Sequence, residues 1–483
     1  MGTINSAFNL MSGALDADQA SLNIVANNVA NANTTGYTRQ TPNWQENQPI
    51  EIGGTLNGAG VTETGATSVR DRVLTERLDQ QQQLASASGA RLTALNSVQA
   101  LFTPDSGSSS SKAGDIGSDI TGFFSSFSSL EANPTDSALR QQVLSAANTL
   151  AGDVSNAAAS LNAQRSALDQ EASGVTSQVN SLTGAIAQLN QQIQSASPTG
   201  DAGTLEDQRQ QDLSQLSQLI GINQVSTENN GLSITTTSGQ SLVSEGKNFP
   251  LTTGIVGGVS HFFVGTTDIT SQLAGGGGQL GGYLTARDED IPGVLSSLDQ
   301  LSYDVSTQVN ALNNAGTDLD GVEGTGTNQA GVAGSGAAPL YIFNQPSQVA
   351  GSAAAMSVTT TDPNEIAAAG FGEGTGDNSN AAAMANLANR SIVNGQSPSN
   401  YYSSFVSTLG ATVSGVQTEN TAQNASVTQL QAQDNALSSV NLNDEASSMA
   451  TLERSYQAAS QVFAMLNTIM ASALNLGVQA TVS

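Results

Sequence analysis

The sequence predicts an α+β protein: a long helical bundle with coiled-coil termini, in which N- and C-terminal helices pair, and an inserted antiparallel β domain. Three observations carry this. Apolar residues repeat on steps of four and three at both ends of the chain, and a longer helical pattern fills part of the interior. Period-two alternation, punctuated by turn pairs, occupies the middle.

At the N-terminus Ile4, Phe8, Met11, Leu15, Leu22, Val25 and Val29 form a heptad stripe broken only at Asp18. The stripe is about 26 residues long, roughly 39 Å at 1.5 Å per residue. It stops in "ANNVANANTTGYTRQ", where Asn33 and Gly36 can adopt the left-handed conformation that terminates helices, just before Tyr37 and Arg39. Near the C-terminus Met449, Leu452, Tyr456, Ala459, Phe463, Leu466, Met470 and Ala473 repeat the same spacing. Isolated helices draw little stability from propensity alone, so each stripe needs a partner within or between subunits.

Between the ends, a weaker stripe at Leu74, Leu78, Ala85, Leu92, Leu95 and Phe102 predicts a helix, and "GSSSSKAGDIGSD" reads as a flexible joint. A long helical pattern follows from Leu139 to Ile193, open to interruption at Gly152, Gly174 and Gly184, each costing about 1 kcal/mol relative to Ala. Leu205 to Ile220 predicts another helix. From Gly221 to about Gly282, β-branched and aromatic alternation with Asn-Gly and Ser-Gly pairs predicts strands. Helix resumes from Ile291 to Asn314 and from about Asn380 to Leu437. The expected domains are 1–45 plus 438–483 (terminal coiled coil), 46–220 plus 285–437 (mainly helical, with a Gly-rich excursion near 316–380) and 221–284 (β).

Composition limits the function. At 483 residues there is room for two to four domains, since single cores stop growing near ~250–300 residues. Forty acidic against thirteen basic residues give a formal charge of −27, an unfavourable field for nucleic acid or an anionic membrane surface. Without cysteine there is no thiolate chemistry, no run reaches the roughly 18 apolar residues of a membrane span, and the N-terminus lacks the pattern of a cleavable signal.

Four motifs invite a chemical reading, and for each the bland one is preferred. "GGGQLG", Gly276 to Gly281, matches a dinucleotide fingerprint, but its flanks read as hairpin and Asp288, Glu289 and Asp290 oppose phosphate. "DLDG", Asp318 to Gly321, starts like a calcium loop without its distant glutamate and reads as a solvated turn. His261 stands alone in a strand pattern. Asp444 and Glu445 are adjacent, so on a helix they do not face each other, and they read as charge favouring the helix dipole. No catalytic, cofactor or metal residue is assigned.

Two long segments carry a resemblance. "LNIVANNVANANTTGYTRQ", Leu22 to Gln40, and "SSVNLNDEASSMATLERSYQAASQVFAMLNTIMASALNL", Ser438 to Leu476, resemble the terminal signatures of the bacterial flagellar axial proteins, the rod, hook and hook-associated group. The Arg39-Gln40 pair, "VNLNDEAS", "GGQLGGYLTARDEDIPG" and "NALNNAGTDLDG" resemble its hook-associated branch at the hook–filament junction. The hook protein is the near neighbour; a secreted adhesin or a wall hydrolase are rivals of other classes. The chain is shorter than better-known members, which implies a reduced outer domain.

The resemblance implies a structural, non-enzymatic component, exported unfolded by the flagellar type III system and assembled extracellularly as a ring that allows filament assembly. Its partners would be copies of itself, the hook protein, a second hook–filament junction protein and a dedicated export chaperone, with Met449 to Leu476 as the chaperone's target. The two terminal stripes would form the assembly interface of an inner tube, and Asn33, Gly36, Tyr37 and Arg39 would turn the chain out of it. Both terminal helices are expected to be mostly disordered before neighbours arrive.

Overall fold

A computed structural model describes residues 2–52, 55–103, 116–196, 201–228, 230–328 and 331–479. The chain starts in α1 (Gly2–Asn31) and ends in α12 (Leu442–Gln479), which pack along each other. After α1 come β1 (Gln40–Glu46), β2 (Ile50–Ile52), β3 (Thr55–Asn57) and β4 (Val61–Ser68). Strands β1 and β4 pair antiparallel with a bulge between Pro42 and Trp44, and β2 pairs with β3 beyond them. Sequence reading gave nearly all of β1 to the terminal coiled coil and β2 to β4 to the helical region; Gly, Pro, Asn and Thr punctuate segments too short to show a strong alternation.

Helix α2 (Arg72–Leu101) begins at Asp71, whose carboxylate caps the amides of Val73 and Leu74. Next come α3 (Ile116–Ala132), α4 (Ser137–Ala196) and α5 (Thr204–Leu219). The expected flexible joint falls partly on 107–115, outside the described residues, and its last four residues begin α3 instead. Phe123, Phe124 and Phe127 of that helix are buried and stack together, with Phe123 and Phe127 edge to face at 5.3 Å. Helix α4 runs sixty residues without a break. Its buried face, from Val143 through Ala157 and Val175 to Ile193, packs throughout its length and outweighs the cost of the three interior glycines.

The inserted strands form two antiparallel sheets. One is a meander of β5 (Ile222–Ser226), β6 (Leu232–Thr236), β7 (Ser241–Ser244) and β8 (Lys247–Asn248). The other joins β9 (Leu251–Val256), β10 (Val259–Val264) and β11 (Thr267–Asp268). Such small sheets need a cover, and they share a core with the second half of α4 and with α5 that spans Ala172 to Leu284. The other core joins α2, α3 and the first half of α4 to the later helices.

Within the expected β segment the chain also forms α6 (Thr270–Leu273) and α7 (Gly278–Thr285), so the flank of "GGGQLG" is helical rather than hairpin-like. A methyl on Gly282 would collide with the Ala87 carbonyl oxygen: these glycines allow α7 to lie against α2. "ARDED" continues α7 as a π-helical turn into α8 (Ile291–Asn313).

The Gly-rich excursion carries β12 (Gly316–Thr317), α9 (Ser352–Ala355) and β13 (Ala369–Gly370). Asp318 is buried there, not solvated; burial raises its carboxyl affinity for a proton. The helix expected from Asn380 to Leu437 is broken. Helix α10 (Ser379–Asn386) ends before a turn with positive φ at Asn394 and Gly395, and α11 (Pro398–Ser438) restarts at Ser397, which caps it, with Pro398 first.

Candidate functional site

The two predicted terminal stripes meet. Phe8 and Phe463 stack with ring centroids 4.4 Å apart. Val25 is buried, and Phe8, Met11, Leu15, Leu22, Met449, Leu452, Tyr456, Phe463, Leu466 and Met470 are half-buried. Val29 is exposed, and the side chain of Ile4 lies outside the described residues. Asp18, where the stripe breaks, is buried with it. A second row on α12, Val462, Met465 and Ile469, remains exposed beside the filled stripe.

Where α1 ends, the chain turns through Thr34 to Tyr37 with Gly36 at φ +79°. Asn33 is exposed and does not adopt the left-handed conformation expected of it; glycine alone carries that strain-free. Behind the turn, Asn28 is 1% exposed and makes four hydrogen bonds, its full capacity. Its Oδ1 accepts from Tyr37 OH at 2.8 Å and the Gln40 amide at 3.0 Å, while its Nδ2 donates to the Gln40 carbonyl at 2.8 Å and Glu445 Oε2 at 3.1 Å. Burial, reinforced by Asp207 and Glu445, pushes the Tyr37 phenol up, keeping it a donor.

Arg39 completes the knot. Its Nε donates to Glu445 Oε1 at 2.6 Å, its amide to the Ser438 carbonyl at 2.9 Å, and its carbonyl accepts from the Val69 amide at 2.8 Å. One residue thus ties the segment entering β1 to both C-terminal helices and to the returning hairpin. Glu445 sits in the first turn of α12 but is 1% exposed, so the dipole reading missed its main role as an anion buried against Arg39 and Asn28. Asp444, its neighbour, is exposed.

A second clamp holds this segment to the bundle. Asp207, in the first turn of α5, accepts from the Thr38 amide at 3.1 Å and pairs with Arg70. Glu206 pairs with Arg70 at 3.1 Å and Arg72 at 3.2 Å. Below it Asp79 is buried, accepting from Gln210 and Gln224 at 2.9 Å each; burial pushes its carboxyl up to about 6, against those bonds. Sequence reading found Tyr37, Gly36 and Arg39 but not Asn28, Glu206, Asp207 or Glu445. Tyr37 and Gln40 lie only nine and twelve residues beyond Asn28, but the ion-pair partners of Glu206, Asp207 and Glu445 lie far off in the chain, beyond any local pattern.

His261 lies in β10 as expected, but its Nδ1 contacts Asp268 at 2.7 Å on the exposed side of the sheet. Among the described residues no group of three or more acidic or histidine side chains is placed to hold a metal, and no helix is long and apolar enough to cross a membrane.

Comparison with known proteins gives matches at both levels. The profile of the flagellar hook-associated protein FlgK helical domain matches residues 105–328, and that of the flagella basal body rod protein matches residues 8–38. Flagellar hook-associated protein 1 of Salmonella typhimurium is 27% identical over 98% of this chain and 100% of its own length. The protein of that name from Escherichia coli is 30% identical over 65% of this chain and 58% of its own length; that from Bacillus subtilis is 26% identical over 96% of each. The fold is similar to that of the flagellar hook junction protein FlgK from Burkholderia pseudomallei, with a TM-score of 0.62 at 19% identity, over 74% of this chain and 99% of that one.

Proposed function

Because the chain belongs to the flagellar hook-associated protein 1 family, structural proteins of the flagellum at the hook–filament junction, we propose that it works as an assembly unit joined through its two ends. The observation carrying this reading is the α1–α12 pair with its uncovered apolar row. One face of each helix is used inside the chain, while Val462, Met465 and Ile469 stay exposed beside it. Apolar rows of that kind mark surfaces that other proteins cover.

In the assembly interface, Ile4, Phe8, Met11, Leu15, Leu22, Val25 and Val29 with Met449, Leu452, Tyr456, Phe463, Leu466 and Met470 hold the two ends together, and the exposed row beside them closes a ring of copies. Gly36, Tyr37 and Arg39, locked by Asn28 and Glu445, turn each chain from the inner tube to the outer domains. The chain contacts the hook protein on one side and the second junction protein on the other. It leaves the cell through the flagellar type III channel, its α12 stripe covered beforehand by a dedicated chaperone. It performs no catalysis. The domains divide as 1–45 with 438–483, the helical bundle, and the β insert.

A clean deletion in the native host, followed by electron microscopy and assay of the medium, tests this. Bare hooks with flagellin shed into the medium are expected. Missing hooks would mean a hook protein, and unaltered filaments would remove the chain from the axial structure.

A further inference from the structure

A groove of about 440 Å³ lies between α2, the π turn, α8 and the first turns of α11. Leu95, Val294, Phe405 and Leu409 line it with apolar surface, and Glu289 and Asp290 stand at one side. Asp290 is neutralised by Arg91 at 2.8 Å, whereas Glu289 is exposed and has no ion-pair partner among the described residues. The groove therefore suits an apolar side chain that travels with one cation.

Cations are scarce in this chain. Arg77, Lys247, Arg390 and Arg454 are the exposed ones without an ion-pair partner among the described residues. Only Lys247 lies on a sheet-edge strand, β8, with an exposed aromatic ring, Phe249 at 41%, two positions on. Positions two apart in extended chain point to one side, about 7 Å apart, so the cation and the ring are presented together.

The edge cannot reach its own groove. Gly246 hydrogen-bonds through its carbonyl to Gln191, and Arg287 of the π turn pairs with Asp169. Those anchor points are twenty-two residues apart on the unbroken α4, about 33 Å at 1.5 Å per residue. Resting on the ring assembly argued above, we infer that the β8 edge of one copy docks in this groove of the next, with Phe249 against Phe405 and Leu409 and Lys247 against Glu289. A single ring buries only about 150–250 Å². The contact therefore adds to the terminal helices and orders the outer domains around the ring.

The chain has no cysteine, so Lys247→Cys and Glu289→Cys can be combined cleanly in the full-length protein. Isolated hook–filament junctions are treated with a short bismaleimide that spans the two replaced side chains. A ladder of covalent multimers, absent from either single variant, is expected. Junctions that contain the double variant yet yield only monomer would overturn the inference while leaving the ring reading intact. Absence of the wild-type chain from junctions by immunogold labelling would instead remove the ring reading. Should the cysteine pair fail to assemble, Lys247→Glu with Glu289→Lys decides: each alone should loosen the junction and the pair restore it, and no restoration overturns the inference.

Discussion

Arg39 and Glu445 stand 406 positions apart in the chain, yet Arg39 Nε meets Glu445 Oε1 at 2.6 Å on a carboxylate that is 1% exposed. The pair closes the chain on itself where the terminal helices meet the elements between them. A change at either end of the sequence therefore reaches the other.

Removing the cation alone should be costly. Arg39→Ala leaves Glu445 charged and buried with only Asn28 to answer it, a loss of about 3 kcal/mol in the stability of this local unit. Glu445→Gln should cost less, since the amide oxygen can still accept from Arg39, and combining it with Arg39→Ala should recover part of the loss. Hydrogen exchange at the amides of Arg39, Gln40 and Glu445 reads this directly. Equal exchange in the Arg39→Ala chain and the combined variant would show that no buried charge was stranded.

The terminal helices should be the least protected part of the free chain. Among the described residues, neither hydrophobic core includes one from α1 or α12, and most of their stripe residues are only half-buried. Local opening then costs little until neighbours cover the exposed row. Amides of residues 6–25 should exchange within seconds in the monomer while those of α4 stay protected. Leu22→Asp with Phe463→Asp should leave the bundle folded and abolish incorporation, because assembly would bury two unpaired charges. Normal motility with that pair would be incompatible with the interface.

Heptad spacing exposed α1, α12 and most of α4 because each has an apolar face repeated over many turns. It failed where the signal was short or borrowed. Helix α3 carries its phenylalanines at a spacing a helix needs, but the Ser-Gly run before it masked the start. The hairpin from β1 to β4 is mostly exposed and polar, so no alternation marked it. Glu445 read as an ordinary helix-end charge and Asn28 was not singled out, since each has a partner at the other end of the chain.

Close packing at Gly282 gives a prediction independent of assembly. A methyl there meets the Ala87 carbonyl oxygen and Ala90 Cβ, and backbone cannot move aside as a flexible side chain can. Gly282→Ala should separate α7 from α2 and cost on the order of 2–3 kcal/mol. Gly293→Ala, where nothing lies within contact distance, should be neutral or slightly stabilising in its helix. Thermal melting of both variants checks the contrast; similar melting points would mean that α2 and α7 are not in close contact.

Asp79 should make the clamp region less stable as pH rises through the mildly acid range. Its carboxyl is 1% exposed and pushed by burial from 3.8 up to about 6, opposed by bonds from Gln224, Gln210 and Ser214 and assisted by Asp434. Here the folded state holds the proton more tightly than the unfolded one. Stability from this group is thus fully present below pH 3.8, falls between there and about 6, and stays low above. At pH 7 the penalty is about 3 kcal/mol, taking 1.36 kcal/mol per unit. The wider field does not reverse the sign: Asp207 is already paired with Arg70, and the Asp434 carboxyl is itself raised by burial. Asp79→Asn keeps an oxygen for the two glutamines and removes the charge. It should raise the melting temperature at pH 7 and leave it unchanged at pH 4. If the two proteins instead melt in parallel across that range, Asp79 is ionised throughout and the α2–α5 contact tolerates its charge.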